Sequence, residues 1–311
     1  MRTLICGSIA FDQIMVFRDQ FKNHILPGQI HTLNVSFLVP EMRREFGGCA
    51  GNIAYNLKLL GGEPVIMATV GDDAGPYLTR FDALGINRQH VRHIPNTFTA
   101  QAFITTDIDD NQITAFHPGA MGYSDRNKVA DAQNIGLAIV APDGKDAMLA
   151  HSRALAKAGT PFIFDLGQAM PLFNGMELLE MLDIATYAAF NDYEAKVVME
   201  RTGLTATQLA ERVDALIITH GGEGSEIHAG GQVHHIPAAE ADQIADPTGC
   251  GDAYRAGLLY GIANGYDWPT TGRLASVMGA IKIGHRGCQN HAPSRDEIAQ
   301  RYARAYGNRP W

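Results

Sequence analysis

The 311-residue sequence lacks features that mark several large classes of protein. No stretch approaches the ~18 consecutive apolar residues that a membrane-spanning helix needs. Cations are not in surplus, because 33 aspartates and glutamates against 25 lysines and arginines give a formal net charge of -8. Proteins hold nucleic acid largely by neutralising phosphates with cationic side chains, so this balance disfavours a nucleic-acid partner. A small phosphorylated ligand bound by backbone N–H groups remains compatible with it.

Metal and redox motifs are also missing. The four cysteines form no C-x-x-C pair, and none of the 12 histidines belongs to an H-E-x-x-H motif. The sequence therefore indicates neither a zinc site nor an oxidising compartment. Asp12 interrupts the N-terminal apolar run, which favours a buried first strand over a signal peptide. We expect a soluble, cytoplasmic protein without a membrane partner.

Two common nucleotide-binding motifs are absent as well. The sequence contains no G-x-x-x-x-G-K-[ST] P-loop, and no G-x-G-x-x-G follows the first predicted strand. Glycine is nevertheless abundant, with 33 residues and neither collagen periodicity nor low complexity. Glycines in that number usually form tight turns or allow the backbone to approach a ligand closely. We therefore expect a binding site built largely from backbone groups.

The apolar pattern alternates between strand-like and helix-like segments. Such alternation predicts a doubly wound, mostly parallel α/β sheet with helices on both faces. The predicted strands are Leu4–Ala10, Val65–Val70, Leu137–Val140, Phe162–Leu166, Thr186–Phe190 and Leu216–Thr219. Amphipathic helices are predicted at Ala50–Leu60 and Asp252–Asn264, the first ending at Gly61-Gly62.

Two insertions break this alternation and predict a small β-sheet lid. Residues 11–42 contain the strand-like pieces Val16-Phe17 and Ile30–Val39, with Pro27-Gly28 as a turn between them. Residues 98–117 form a predicted hairpin of Thr99–Thr106 and Gln112–His117. The remainder, residues 1–10, 43–97 and 118–311, is predicted to be one large domain. An exposed lid sheet is compatible with a monomer or with a homodimer formed through the lid.

The segment Asp246-Pro247-Thr248-Gly249-Cys250-Gly251-Asp252 leads directly into the second predicted helix. A glycine turn at a helix N-terminus presents free N–H groups and the positive end of the helix dipole. Such a turn suits the charge that develops on a transferring phosphoryl group. Asp252 beside it is a candidate general base, although an acidic residue in the first turn is also favoured simply as a helix cap.

This segment, followed by Ala253-Tyr254-Arg255-Ala256-Gly257, resembles the second signature of the PfkB (ribokinase-like) family of carbohydrate and nucleoside kinases. The resemblance extends over essentially the whole chain and implies a ribokinase-like fold, with ATP as phosphoryl donor and Mg²⁺ as cofactor. It also implies that Asp252 is the general base and that the N–H groups of Gly249, Cys250 and Gly251 form the anion hole. Cys250 stands where alanine is more common, and Arg255 is unusual without an evident reason.

Gly47-Gly48-Cys49-Ala50-Gly51-Asn52 is similar to the family's first signature. The resemblance implies that Gly47 and Gly48 allow substrate hydroxyls to approach the backbone and that Asn52 contacts sugar hydroxyls. Asp12, after the first strand, matches the aspartate that binds vicinal ribose hydroxyls. For Asn52, a role as a helix-start cap is the alternative.

Three further segments fit the family pattern around the nucleotide. Asn191-Asp192-Tyr193-Glu194 resembles N-x-x-E, which implies that Asn191 binds the cofactor and that Glu194 organises Mg²⁺ through water; a simple capping box is the alternative. Thr219-His220-Gly221-Gly222-Glu223-Gly224 resembles the T-x-G-x-x-G nucleotide loop, implying that Thr219, Gly221 and Gly224 bind ATP. Family position alone implies a monovalent-cation loop near Asp246, Thr248 and residues 287–291, with K⁺ as the expected ion.

The resemblance implies the reaction but does not name the acceptor, because this family phosphorylates many small alcohols. Phe103 and Phe116 on the predicted lid hairpin can stack on a purine, or else pack the lid against the core. The run Phe116–Met121 looks similar to bacterial adenosine or broad-specificity nucleoside kinases. We therefore expect phosphorylation of the 5′-hydroxyl of a ribonucleoside, with adenosine favoured. The alternatives are a kinase for ribose or fructose and a non-catalytic binding or regulatory protein.

Overall fold

The computed structural model describes residues 1–25, 35–109 and 111–311. The strands of the described part are β1 Arg2–Cys6, β2 Ala10–Val16, β3 Glu41–Gly47, β4 Glu63–Val70, β5 Asn87–His93, β6 Ala100–Thr106, β7 Gln112–His117, β8 Leu137–Val140, β9 Phe162–Asp165, β10 Tyr187–Asn191, β11 Ala215–Thr219, β12 Ser225–Ala229 and β13 Gln232–Ile236. The α-helices are α1 Cys49–Leu59, α2 Gly75–Leu84, α3 Lys145–Ala158, α4 Gly175–Ile184, α5 Asp192–Thr202, α6 Ala206–Ala210, α7 Cys250–Ala263, α8 Trp268–Ile283 and α9 Arg295–Tyr306.

A nine-stranded sheet forms the centre of the molecule, in the order β13-β12-β11-β10-β9-β8-β1-β4-β5. All neighbours from β11 to β5 pair in parallel, and β12 and β13 add an antiparallel hairpin at one edge. Helices cover both faces, which explains why the parallel strands are nearly continuous apolar runs. The predicted doubly wound α/β fold is confirmed.

The core consists of two layers, one on each face of this sheet. Along β1, Ile5 joins one layer while Leu4 and Cys6 join the other, because successive side chains of a strand point to opposite faces. Helices α1, α2, α7, α8 and α9 supply the first layer, and α3 to α6 supply the second. Fully burying such a large apolar side chain stabilises the fold by about 1.5–3 kcal/mol. Within the described ranges, no helix is both long and apolar enough to span a membrane.

A separate four-stranded sheet lies beside the large one, in the order β3-β2-β6-β7. Its two central strands are parallel, and each outer strand is antiparallel to its neighbour. The predicted hairpin of residues 98–117 corresponds to β6 and β7. The division of the chain into domains remains a prediction, although β3 crosses the predicted boundary at residue 42.

Two strand predictions need correction. The predicted strand Leu4–Ala10 is interrupted after Cys6, because Gly7-Ser8-Ile9 carries the chain from the large sheet to the small one, where Ala10 begins β2. Residues 35–39 of the predicted strand Ile30–Val39 have no regular structure, and β3 begins only at Glu41. The rest of that prediction, including the turn at Pro27-Gly28, lies outside the described residues.

Candidate active site

The glycine turn before α7 takes the conformation that the sequence predicts for an anion-binding helix start. Gly249 is the N-cap of α7 with a left-handed φ of 81°, which glycine adopts without strain. The N–H of Cys250 donates to the carbonyl oxygen of Pro247 at 3.2 Å. Among the described residues, the N–H groups of Gly249 and Gly251 have no hydrogen-bond partner within the protein. Two of the three predicted anion-hole donors are therefore free to bind a ligand, and the third is shared with the turn.

Asp252 lies where the N-termini of α1 and α7 meet. Its Oδ2 accepts a hydrogen bond of 2.8 Å from Nδ2 of Asn52 in α1. Burial raises the pKa of Asp252 to about 7, with the negative charge of Asp165 adding to the increase and the Asn52 hydrogen bond opposing it. A carboxylate with a pKa near neutrality is well matched to general-base catalysis.

A buried hydrogen-bond network extends from Asp252, and sequence reasoning missed it. Nε2 of Gln289 donates to Oδ1 of Asn52 at 3.0 Å and to the hydroxyl of Tyr77 at 2.7 Å. Nε of Arg80 donates to Oε1 of Gln289 at 3.2 Å. Because a guanidinium can only donate, Arg80 fixes which end of the Gln289 amide faces Asn52. The Asn52 amide is thereby held with its NH₂ group toward Asp252.

One cleft, of about 640 Å³, lies between the small sheet and the segments 245–248 and 286–288. Asp12 lines it from β2, and a Cβ on Gly47 would lie 2.6 Å from Oδ2 of Asp12, so a side chain at position 47 would displace the Asp12 carboxylate. Burial, followed by the charges of Asp246 and Glu45, raises the pKa of Asp12 to about 6. The hydroxyl of Tyr77 donates to the Gly47 carbonyl oxygen at 2.7 Å, which ties this cleft to the Gln289 network. Gly48, the second predicted acceptor glycine, is the N-cap of α1 with φ 84°.

The register of the small sheet separates the two predicted aromatic residues. Asp12 pairs with Ala102 across β2 and β6, and Ala102 pairs with Phe116 across β6 and β7, so Asp12 and Phe116 share one face. Phe103 pairs with Ala115 and therefore lies on the opposite face. Both rings are exposed, at 41% for Phe103 and 50% for Phe116. The prediction that Phe103 binds the acceptor is inconsistent with this register, while Phe116 remains a candidate.

A second cleft, of about 560 Å³, lies on the other side of the turn. It contains three of the four residues predicted to bind the nucleotide, Thr219, Gly221 and Gly224, together with Cys250 and Gly251 at the start of α7. Much of the remaining lining is small or apolar: Ala238, Ala239, Ala241, Ile244, Ser276, Gly279, Ala280 and Ile283. Pro247 lines both clefts, so the segment 246–251 separates them.

The N-x-x-E segment forms a capping box at the start of α5. The backbone N–H of Asn191 donates to Oε2 of Glu194 at 2.8 Å, and the N–H of Glu194 donates to Oδ1 of Asn191 at 2.7 Å. Neither residue lines the second cleft. Burial, followed by the charge of Asp165, raises the pKa of Glu194. The capping role considered from the sequence is therefore present, and it fixes the Glu194 carboxylate near a second carboxylate.

Arg255, which had no explanation from the sequence, is buried beneath these carboxylates. Its Nε and Nη2 donate to the two oxygens of Asp165 at 3.2 and 3.1 Å, and both side chains are nearly inaccessible to solvent. Such a bidentate pair compensates the cost of burying both charges. Asp165, the last residue of β9, was not selected from the sequence because a lone aspartate within a predicted strand carries no motif.

Asp246 and Thr248, the predicted monovalent-cation residues, form a local turn. Oδ1 of Asp246 accepts from the N–H of Thr248 and Oδ2 from the N–H of Gly287, both at 2.9 Å. Burial alone would raise the pKa of Asp246, but these backbone hydrogen bonds hold it below its ordinary value. Nζ of Lys282 donates to the Asp246 carbonyl oxygen at 2.7 Å. In the described part of the chain, no cluster of three or more His, Cys, Asp or Glu side chains is arranged to hold a metal ion.

Comparisons with known proteins agree with this architecture. Residues 9–295 match the pfkB family of carbohydrate kinases. The nucleoside kinase of Methanocaldococcus jannaschii is 31% identical over 271 residues, covering 86% of this chain and 89% of that protein. A solved structure of that kinase, described as an archaeal member of the ribokinase family, superposes with a TM-score of 0.89, at 28% identity and over 97% of this chain and 98% of that one.

A bacterial nucleoside kinase is more similar to this chain than the archaeal one is. The nucleoside kinase of Burkholderia thailandensis, solved in complex with inosine, is 57% identical, covers 99% of both chains and superposes with a TM-score of 0.91. The same kinase has been solved in complex with ADP-inosine. These matches confirm the family resemblance and the ribokinase-like fold expected from the sequence. The chain belongs to the pfkB family of carbohydrate kinases and is an ATP-dependent kinase.

Proposed function

We propose that this protein transfers the γ-phosphoryl group of ATP to the 5′-hydroxyl of a ribonucleoside. One observation carries the proposal: two clefts meet at the segment 246–251, and the candidate base Asp252 follows directly after it. An in-line phosphoryl transfer needs donor and acceptor on opposite sides of the transferring group. We assign the 640 Å³ cleft to the acceptor and the 560 Å³ cleft to ATP, and call them the acceptor cleft and the donor cleft.

The chemistry assigned to this chain has two parts. Asp252 accepts the proton of the 5′-hydroxyl as that oxygen attacks the γ-phosphorus, and the β–γ bridging oxygen leaves with ADP. The N–H groups of Gly249 and Gly251, with a contribution from Cys250, bind the charge on the transferring group. Asn52 keeps the Asp252 carboxylate oriented, and in this proposal it also reaches toward the sugar hydroxyls.

The charges around the acceptor cleft support a neutral acceptor over a phosphorylated one. Its acidic lining residues are Asp12, Glu41, Asp107 and Asp246, whereas its basic ones are Arg43 and Arg286. A phosphate group would be repelled by this excess of carboxylates. A ribose diol, in contrast, can donate two hydrogen bonds to Asp12. The nucleoside kinases of B. thailandensis and M. jannaschii, similar over nearly the whole chain, support a nucleoside as that diol.

Mg²⁺ fits the carboxylates near the donor side. Glu194 and Asp165 are both buried. Burial, followed by the charge of Asp165, raises the pKa of Glu194 although Arg255 opposes the increase, and a further nearby cation would lower that pKa. We propose that Glu194 holds the hydrated ion through water, with Asn191 and Arg255 orienting the two carboxylates. The ion neutralises charge on the phosphates of ATP. Location in the cytoplasm, and a monomeric or dimeric state, stay predictions from the sequence.

An acceptor panel tests the proposed function. ADP formation should be measured with adenosine, inosine, ribose and fructose, each with ATP and Mg²⁺. Adenosine is the acceptor favoured by the sequence, and inosine is included because a relative has been solved with it. We expect turnover with one or both nucleosides and phosphate at the 5′ position by NMR. Turnover with the free sugars alone would make the nucleoside assignment wrong.

The variant Asp252→Asn tests the base. It should reduce kcat by about 10²–10⁴-fold while ATP affinity, measured by calorimetry, changes little. Asp296→Asn is the matched control, because Asp296 is also an acidic residue in the first turn of a helix but is exposed on α9. Retention of full activity in Asp252→Asn would remove Asp252 from the mechanism. If the wild-type protein turned over no ATP with any acceptor of the panel, a non-catalytic binding protein would be favoured instead.

A further inference from the structure

Lys282 is a fully buried lysine, with 0% of its surface exposed, in the last turn of α8. A buried ammonium group is unfavourable unless hydrogen bonds replace its hydration. Nζ donates to the carbonyl oxygens of Asp246 at 2.7 Å and of His285 at 3.2 Å. The ammonium is thus held by backbone carbonyl oxygens, the kind of ligand that proteins also use for K⁺.

These carbonyl groups belong to two segments that are tied together beside the anion-hole turn. The N–H groups of Ala245 and Asp246 donate to the carbonyl oxygen of Ile283 at 2.8 and 3.1 Å. The N–H of Gly287 donates to Oδ2 of Asp246 at 2.9 Å. Lys282 therefore lies between the segment that leads into α7 and the segment that follows α8, where the family resemblance places a monovalent-cation loop.

The residues predicted to hold that cation do not fit it. The Asp246 carbonyl oxygen faces the Lys282 ammonium, and both Asp246 carboxylate oxygens already accept backbone N–H groups. An added K⁺ at this position would face the positive charge of Lys282 at close range, which is unfavourable. An ammonium group and K⁺ carry the same charge, and an ammonium fixed on a helix loses less entropy on binding than a free ion.

We propose that the Lys282 ammonium takes the place of a monovalent cation in this loop and makes the kinase independent of K⁺. The covalently attached cation keeps Asp246 and the following glycine turn in place before ATP binds. The inference depends on the kinase activity of the protein and not on the identity of the acceptor.

The wild-type protein gives the first test. Its rate of ADP formation and its melting temperature should be compared in K⁺, Na⁺ and tetramethylammonium chloride at constant ionic strength. We expect both to be unchanged within about twofold in rate, because salt then acts only through general screening. Specific activation by K⁺ of about tenfold or more would overturn the proposal.

Two substitutions give the second test. Lys282→Ala leaves a hole beside the carbonyl oxygens, and Lys282→Met fills it with an uncharged chain of similar length. We expect kcat to fall by about tenfold or more in both, with recovery by K⁺, ammonium or methylamine in Lys282→Ala only. Lys157→Ala, which removes an exposed last-turn lysine of α3, is the control and should gain no cation dependence.

The readout is not limited to catalysis. In Lys282→Ala, K⁺ should also raise the melting temperature and the ATP affinity measured by calorimetry, relative to tetramethylammonium. These two measurements distinguish failure of this inference from failure of the proposed nucleoside acceptor, since neither uses an acceptor. Full activity and stability of Lys282→Ala without any added cation would overturn the role assigned to Lys282. If that variant does not fold, the wild-type cation series decides.

Discussion

The acceptor and donor clefts lie on either side of one glycine turn, yet different kinds of residue line them. Six charged residues line the acceptor cleft, which lies between the small sheet and the segments 245–248 and 286–288. The donor cleft lies beside the large sheet and helices α7 and α8, and most of its lining is glycine, alanine or aliphatic. The donor cleft can therefore offer mainly backbone groups and shape, whereas the acceptor cleft offers charges. Backbone donors suit the phosphates of ATP, and carboxylates suit the hydroxyls of a sugar.

If this difference is real, removing one carboxylate should affect only the acceptor. Asp12→Ala should lower kcat/KM for a nucleoside by about 100-fold, because two hydrogen bonds to a charged group are lost. KM for ATP should change little. Steady-state kinetics with each substrate varied in turn provides the measurement. Asp183→Ala, which removes an exposed carboxylate paired with Arg212, is the control.

An equal loss of affinity for both substrates in Asp12→Ala would show that the clefts are not separate in function. A lower kcat/KM for the nucleoside with an unchanged KM for ATP would support the assignment of Asp12 to the sugar hydroxyls. A purely structural role beside Gly47 would not predict that selectivity.

The same difference explains which parts of the site could be predicted from the sequence. The donor cleft uses Thr219, Gly221 and Gly224, which lie close together in one motif, so their approximate placement follows from local patterns. The acceptor cleft combines residues far apart in the chain. Asp12 was found by resemblance, but the face on which Phe103 lies depends on strand register, which no local pattern specified.

Buried polar residues outside any motif were the least predictable. Gln289 contacts Asn52, which is 237 positions away in the sequence, and Lys282 contacts the carbonyl group of Asp246. A single glutamine or lysine in an ordinary helix or loop gives no signal of burial, because both residue types are usually exposed. The fold was easier to predict from the sequence, because the parallel strands β8 to β11 are short apolar runs that helices cover.

Narrowing the donor cleft should have the converse effect on affinity. A Cβ on Gly279 of α8 would lie 3.7 Å from the Cys250 carbonyl oxygen and point toward the start of α7. Gly279→Leu should therefore raise KM for ATP by about tenfold through lost cleft volume, with KM for the nucleoside nearly unchanged. Gly75→Leu, at a helix start where a Cβ meets open space, is the control. A larger effect on the nucleoside than on ATP would contradict the assignment of this cleft to the donor.

A substitution in the buried network should act on the reaction more than on either affinity. Gln289→Leu removes the donor that orients Asn52, while Asp252 itself is kept. We expect kcat to fall by about fivefold, in line with one lost hydrogen bond in a charged network, and both KM values to stay within about twofold. Gln300→Leu on the exposed face of α9 is the matched control. Unchanged kcat in a folded Gln289→Leu would show that Asn52 is oriented without it.

The smallest expected effect concerns stability, and its sign follows from the raised pKa of Asp252. Because burial raises that pKa to about 7, the folded state binds a proton more tightly than the unfolded state. The contribution of Asp252 to stability is therefore fully present below its unfolded pKa near 4, and it is lost as the pH rises toward 7. Asp12, with a pKa of about 6, adds a similar loss on the acceptor side.

Asp252→Asn removes the titrating group but keeps the shape of the side chain. Its melting temperature, measured against the wild type from pH 5 to pH 8, should exceed the wild-type value by a few degrees at pH 8, and the gap should narrow toward pH 5. Asp183→Asn should show no such trend, because Asp183 is exposed. A gap that widened toward low pH would mean that the Asp252 carboxylate stabilises the folded protein. The surrounding hydrogen bonds would then fully offset the cost of burying the Asp252 charge. In that case buried carboxylate charge would no longer distinguish the acceptor side of the turn from the donor cleft.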